Sequence, residues 1–414
     1  MQFSLGAPLL AFFLALLGET LAAPAVSHTI ERYAGKKTGR YIVTLKQGVS
    51  STALIQSFRL REPAPLITHQ WESVLNGFAA KFEEGDRDVL LKQLQESPDV
   101  ESIAEDGKVW ITAIVTQTNA AWGLGRLSSV EKVPNLGLGS TAYNYTYDTK
   151  AGEGTDIYSL DTGVRATHRE FSNRARWGAI YGGYPAADGN GHGTHVAAIA
   201  IGTQFACAKR ASLIAVKVLD DAGSGTIADV ISGLNYVFNQ ARDTRRPSVV
   251  TLSLAANPSN ALDNAVVNLI NSGVHVAVAA GNTNANANTL SPGRVSAAIT
   301  VGAIDINDAK TATSNFGAGV DVFAPGQNVL SAGIANDSAT TIISGTSTSA
   351  PFLASAIAYF ISIAGNTSPA NMSARVRDWS LQGMLTGLPQ GTPNFLLTNS
   401  YVCGLGDPGA MICI

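Results

Sequence analysis

The feature that most narrows the fold of this chain is an alternation that sets in near Gln117. Residues 213–218, 248–254 and 274–279 are short apolar runs rich in β-branched side chains. Between them, residues 226–241 and 261–271 carry apolar positions at helical spacing. A strand that returns beside its predecessor in the same direction needs a crossover of about a dozen residues or more, usually a helix. Strands that are apolar at successive positions are covered on both faces. The expectation is an α/β fold with a parallel sheet and helices on both faces, closed by an apolar helix over 350–363. Binding sites in such sheets form at the carboxyl ends of the strands. Asp161, Asn257 and Asn282 all fall at or just after such an end.

Residues 41–110 have a different texture. Strands are expected at 41–45, 77–82 and 100–103, and helices at 51–61 and 86–96. Leu90, Leu91 and Leu94 share one side of the second helix. This predicts a separate small α/β domain with an antiparallel sheet. Glu83, Glu84, Asp86 and Asp88 lie near a helix start, where the dipole favours acids, and read as solvated surface.

At the N-terminus, the apolar run 9–17 followed by Ala22 and Ala23 reads as a secretory signal ending at Ala22. It is too short to span a bilayer, which takes roughly 20 apolar residues. No second long apolar run is apparent, so no membrane span is expected. With 28 Lys and Arg against 31 Asp and Glu, the net charge of −3 gives no reason to expect nucleic acid as a partner. Of the three cysteines, Cys403 and Cys413 could close a small loop in an oxidising compartment, leaving Cys207 as a buried free thiol. Asparagine sequons stand at Asn144, Asn336, Asn366 and Asn371.

Chemistry concentrates in glycine-rich corners. Asp161 precedes Thr162-Gly163, His192 lies within Asp188-Gly-Asn-Gly-His192-Gly-Thr-His195, and Ser347 lies within Ser344-Gly-Thr-Ser347. A serine hydroxyl becomes a useful nucleophile once a base takes its proton. His192 is the candidate base, and Asp161 would fix its tautomer and stabilise its imidazolium. Ser347, at the start of the apolar helix, would place an oxyanion near a positive dipole end. Asn282 and the Ser347 backbone N–H are candidate oxyanion donors. Pro351 is tolerable close to the start of that helix. His195, one turn along from His192, reads as a structural histidine. A zinc site using both histidines lacks an intervening glutamate and a clear third ligand. Asp-Thr-Gly also marks aspartic proteases, but these need two copies and one is present.

The triad in the order Asp, His, Ser, together with Gln117-Thr-Asn-Ala-Ala-Trp-Gly, the Val216–Gly225 segment Val-Lys-Val-Leu-Asp-Asp-Ala-Gly-Ser-Gly and Ala279-Ala-Gly-Asn282, resembles the proteinase K group of subtilisin-like serine proteases. Residues 41–110 resemble the inhibitory propeptide of that family, through Tyr41-Ile-Val and His69-Gln-Trp. The resemblance implies a signal at 1–22, a propeptide at 23–114 and a catalytic domain at 115–414. It implies a secreted endopeptidase acting on proteins and peptides through an acyl-enzyme. Such an enzyme is made as a zymogen and cleaves itself near residues 112–115. The propeptide would act as intramolecular inhibitor and folding aid, and a monomer is expected. No cofactor is implied, though the family's structural calcium could use Asp321. The chain departs from the family at Thr348 and Ser349 after the nucleophile and at Ala255-Ala256, where a Gly-Gly is usual. These departures leave one alternative, a catalytically impaired homologue acting as a binding protein; a secreted esterase using the same acyl-transfer chemistry is another.

Overall fold

A computed structural model describes residues 27–33, 37–59, 65–107 and 114–399. The chain divides into two compact units, with the boundary between Trp110 and Ile111. The signal segment, the Cys403–Cys413 loop, and Thr112 and Ala113 of the expected cleavage region lie outside the described residues. Ile114 and Val115 open the strand Ile114–Ala120.

The first unit is a five-stranded sheet in the order Ile30–Glu31, Val100–Gly107, Lys37–Leu45, Gly77–Lys81, Leu66–Trp71. The helices Ser51–Arg59 and Arg87–Glu96 contribute to its core. Leu90, Leu91 and Leu94 are the buried residues of the second helix, packed with Val43, Phe78 and Ile103. The sheet is mixed rather than antiparallel throughout, because Ile30–Glu31 runs parallel to Val100–Gly107. The strand Leu66–Trp71 was not expected either. It is an edge strand with no fully buried residue, so its sequence carries no core-facing alternation.

The second unit holds a nine-stranded sheet. Its order is Leu381–Gln382, Phe395–Leu396, Val322–Pro325, Ile299–Ile304, His275–Ala279, Ser248–Leu252, Asp156–Asp161, Ser212–Lys217, Ala175–Ile180. Every pairing is parallel except the first. Strand periodicity divides the core in two. Ile157, Leu213, Ala215, Val249 and Ala277 pack with the helices His192–Ile201 and Thr346–Ala364. Tyr158, Leu160, Ile214, Val216, Val250 and Val278 pack with Ile227–Thr244 and Asn260–Asn271 on the other face. Thr226 and Ser259 cap the latter two helices by accepting from Asp229 and Leu262 backbone N–H groups.

The apolar helix begins at Thr346, not near 350, and runs unbroken past Pro351 to Ala364. It is long and apolar enough by composition to cross a membrane, yet 78% of its apolar window is buried inside the protein. The apolar helix expected at 350–363 is thus a core helix of this unit.

Candidate active site

The strand Asp156–Asp161 lies at the point where the sheet order reverses, with later strands added on both sides. Asp161 closes this strand and keeps the parity of Ile157, so its side chain faces the His192 and Ser347 helices. It is 1% exposed, and its Oδ1 accepts from the Thr162 backbone N–H at 2.7 Å.

His192 is the first residue of its helix, whose N-cap, Gly191, has no side chain to offer. Asp188 caps instead. Its Oδ1 accepts from Gly191 N and Thr162 Oγ1, both at 2.8 Å, and its Oδ2 accepts from Thr194 N at 2.8 Å. Thr162 Oγ1 in turn accepts from Gly193 N at 2.9 Å. A Cβ on Gly193 would stand 2.2 Å from the Gly163 carbonyl, so only glycine lets the helix start approach the Asp161 corner this closely. The result is a 2.8 Å hydrogen bond between His192 Nδ1 and Asp161 Oδ1. Burial pulls the His192 pKa down, but the charge and hydrogen bond of Asp161, with Asp188 behind, outweigh it and raise the imidazole above its ordinary 6.5.

Ser347 sits in the first turn of its helix, half-buried. Pro351 has no N–H to give the Ser347 carbonyl four residues earlier. That carbonyl instead accepts from Ser253 Oγ at 2.8 Å, which ties the nucleophile to the segment following the strand Ser248–Leu252. Thr348 and Ser349 are fully buried and satisfied. Thr348 Oγ1 donates to Gly345 O at 2.8 Å, and Ser349 Oγ lies 3.1 Å from the carbonyls of Ala324 and Pro325. Neither departure from the family pattern disturbs the nucleophile.

Asn282 follows the strand His275–Ala279 and is exposed. Its Oδ1 accepts from Thr346 N at 2.8 Å and Thr346 Oγ1 at 3.0 Å, which leaves its Nδ2 to face outward. A point built as a Cβ on Gly345 lies 3.1 Å from Asn282 Nδ2 and 3.3 Å from Ser347 Oγ. Amide and hydroxyl therefore address one small volume. His192, Ser347 and Asn282 all line a cleft of about 490 Å³, with residues 223–226 on its lining and residues 253–256 among the rest. A base oriented by a buried carboxylate, a hydroxyl, and an amide directed at the same space can perform acyl transfer.

A family model described as the Subtilase family matches residues 152–394. The chain is a subtilase. It is 39% identical over 366 residues to the subtilisin-like serine protease AsES of Sarocladium strictum, covering 88% of this chain and 90% of that protein. It is 38% identical to the cuticle-degrading protease of Metarhizium anisopliae, covering 94% and 99%, and 38% identical to Proteinase R of Parengyodontium album, covering 87% and 89%. A solved structure of a cold adapted subtilisin-like serine proteinase superposes with a TM-score of 0.62 at 36% identity, covering 68% of this chain and 98% of that one. The relatives are fungal proteases of the proteinase K type, so the family read from the sequence is correct. The subtilase belongs with the serine peptidases.

Other expectations resolve as follows. His195 is fully buried and its Nε2 meets Val329 O at 3.0 Å, with burial lowering its pKa to about 4. The two histidines thus face different partners. No metal-binding group of three His, Cys, Asp or Glu exists among the described residues. Cys207 is a buried free thiol, against which Tyr145 Oη lies at 3.0 Å, and burial pushes its pKa up to about 12. Asn257 lies beyond the end of its strand, exposed, and follows Ala256 of the cleft without itself lining it.

Asp321 does not fit a calcium site. Its Oδ1 accepts from Arg377 Nη1 at 3.0 Å and its Oδ2 from Thr300 N at 2.8 Å. Each carboxylate oxygen already accepts one hydrogen bond, and the guanidinium supplies the counter-charge that a cation would otherwise bring. EDTA is therefore expected to leave the melting temperature unchanged in calorimetry. A fall reversed by added calcium would show that a cation competes with Arg377.

Sequence reading overlooked several supporting residues: the capping role of Asp188, and Thr162, Ser253 and Thr346. The spacing of Asp188 ahead of Gly191 and Thr194 was the available signal, since an acid just before a helix start commonly caps it.

Proposed function

We propose that this subtilase is a secreted serine endopeptidase, made as a zymogen, that hydrolyses protein substrates through an acyl-enzyme on Ser347. The observation that carries the reading is the 2.8 Å Asp161–His192 hydrogen bond opening on the cleft shared by Ser347 and Asn282. His192 takes the Ser347 proton as the hydroxyl attacks, and later gives it to the leaving amine. Asn282 Nδ2 stabilises the oxyanion, an effect whose size, about 10²–10³ in rate, is known from subtilisin itself. The first unit serves as the inhibitory propeptide, and cleavage near residues 112–115 separates it. Residues 1–22 direct secretion and are removed, and the mature enzyme acts extracellularly as a monomer. The four sequon asparagines are all exposed and accessible to sugar. Names such as "cuticle-degrading" among the relatives fit a protein substrate. The test is labelling by a fluorophosphonate, expected at Ser347 and lost in Ser347→Ala. An unlabelled, correctly folded wild type would leave a non-catalytic binding protein.

The cleft also bears on specificity. Ala255 and Ala256 both line it, and Ala256 is held by paired backbone hydrogen bonds with Ser291 at 2.8 and 3.0 Å. The Ala256 backbone cannot retreat from the cleft without breaking that pair. Cleavage after small or medium apolar residues is expected to exceed cleavage after Phe or Tyr. A methylene-sized difference is worth about 10–200-fold. A peptide-library profile dominated by aromatic residues would refute this. The double variant Ala255→Gly, Ala256→Gly is expected to gain aromatic cleavage.

A further inference from the structure

The turn that carries Asn282 is clasped from beneath by one side chain. Asn315 is fully buried, and its amide reaches the turn on both sides of Asn282. Nδ2 donates to Ala280 O at 2.9 Å. Oδ1 accepts from Thr283 N, Thr283 Oγ1 and Ala285 N, each at 3.0 Å. Its own backbone N–H donates to Gly281 O at 2.9 Å. Every residue of 280–285 except Asn282 and Asn284 is thus bonded to Asn315. Asn284 is held separately, by its N–H to Thr313 O at 2.8 Å and by Lys310 Nζ at 2.9 Å from its Oδ1. Gly281 takes φ +101°, and a Cβ there would lie 2.5 Å from Asn315 Nδ2. The turn is therefore fitted around this amide.

We infer that Asn315 is a positioning residue for the oxyanion donor: its side chain sets the place of Asn282 Nδ2 relative to Ser347. The inference rests on Asn282 acting as that donor. Thr346 holds the far end of the Asn282 side chain, and its Oγ1 accepts from the Gly281 N–H at 3.1 Å. Most of the backbone bonds on either side of Asn282, at Ala280, Gly281, Thr283 and Ala285, are to Asn315. An amide is required because both a donor and an acceptor are used, which excludes a shape-matched Leu and distinguishes Asn from Asp. Preorganised donors act only when held where charge develops, and an ångström-scale misplacement can cost about 10²-fold.

The test compares Asn315→Ala, Asn282→Ala and the double variant in the mature enzyme. Asn315→Ala is expected to lower kcat by about 10–100-fold while KM barely moves. Affinity for a peptide aldehyde should fall in step. In that adduct a bond forms from Ser347 Oγ to the aldehyde carbon, the carbonyl becomes C–O⁻, and the serine proton passes to His192, so binding reports the same donor. A non-covalent product peptide should bind unchanged. Adding Asn282→Ala to Asn315→Ala should cost far less than Asn282→Ala alone, because a misplaced amide has little left to lose. A lower melting temperature with kcat intact, or full additivity of the two substitutions, would overturn the inference. If Asn315→Ala does not fold, Asn315→Asp keeps the acceptor contacts while opposing a carboxylate oxygen to Ala280 O, and the same non-additivity is required of it. Should Asn282→Ala alone leave kcat intact, the oxyanion reading itself falls and takes this inference with it. Should Asn282→Ala be damaging and Asn315→Ala harmless, this inference alone falls.

Discussion

Ser347→Ala is expected to lower kcat by roughly 10⁶, the size known from removing the serine of subtilisin, a member of the same family. The reason is that the three side chains act as one device. Without the hydroxyl, the Asp161–His192 pair has no proton to take and Asn282 faces no covalent oxyanion. Folding should be unaffected, because none of the hydrogen bonds that build the corner uses the Ser347 hydroxyl. The carbonyl that accepts from Ser253 and the helix it begins are backbone features that alanine retains. Activity against a peptide substrate and the melting temperature therefore separate the chemical effect from a structural one. The same variant tests processing. Made in a host without competing proteases, it should keep residues 27–107 covalently joined to the rest, whereas the wild type should show a new N-terminus near residues 112–115. A Ser347→Ala chain that still matures would refute self-cleavage without touching the catalytic assignment.

Much of this site was legible in the sequence because its parts sit in glycine-rich corners, where close approach leaves little freedom of residue choice. Asp161, His192, Ser347 and Asn282 were all named from such corners; the structure brings His192, Ser347 and Asn282 to one cleft, with buried Asp161 behind His192. The five helices given bounds were placed within a few residues because their apolar spacing is dense, whereas Trp122–Leu127 and Pro369–Asp378 were not expected. Strands fared unevenly. The edge strands Leu66–Trp71 and Ala175–Ile180 are only partly buried and show little alternation. Ile299–Ile304 is wholly buried, but Gly302 interrupts its apolar run. That glycine is needed because a Cβ there would lie 2.2 Å from the Phe323 ring of the neighbouring strand. A packing requirement thus erased a local signal. Asn315 was illegible for another reason. Its partners are chiefly backbone groups 30 or more residues away, and backbone groups look alike in every sequence. The pairing of Asp321 with Arg377 was illegible for the same reason. Arg377 is 56 residues distant, and no local pattern announces the pairing.

Asp161→Asn is expected to cost about 10³–10⁴ in kcat at neutral pH and to move the acid limb of kcat/KM downward. In the wild type His192 must be neutral to act as a base, so activity falls as pH drops through its pKa. Burial alone would lower that pKa, while the charge and hydrogen bond of Asp161 raise it above 6.5. The wild-type limb is therefore expected above pH 6.5. Removing the charge leaves burial in command, and the limb should fall below that value. The loss of rate has a ceiling of about 3 × 10⁴, the effect of removing the corresponding carboxylate in subtilisin. In chymotrypsin-like enzymes the Asn substitution costs about 10⁴ because it imposes the wrong histidine tautomer. Here the local bonding resists that outcome. Asp161 Oδ1 accepts from both Thr162 N and His192 Nδ1, while Oδ2 is buried without a hydrogen-bond partner. An asparagine would keep its carbonyl oxygen in the Oδ1 position, since turning the amide nitrogen there would set it against the Thr162 N–H. His192 would then retain its Nδ1–H tautomer, and the loss would come from the missing charge beside the imidazolium. The cost moves instead to stability, because the new –NH₂ group is left buried and unpaired, worth about 1–3 kcal/mol. The distinguishing measurement is the pH profile of Asp161→Asn alongside its melting temperature. A limb that stays where the wild type has it would mean that Asp161 does not set the basicity of His192. A rate that recovers at high pH, where hydroxide can replace a wrongly protonated base, would show that the tautomer has changed after all.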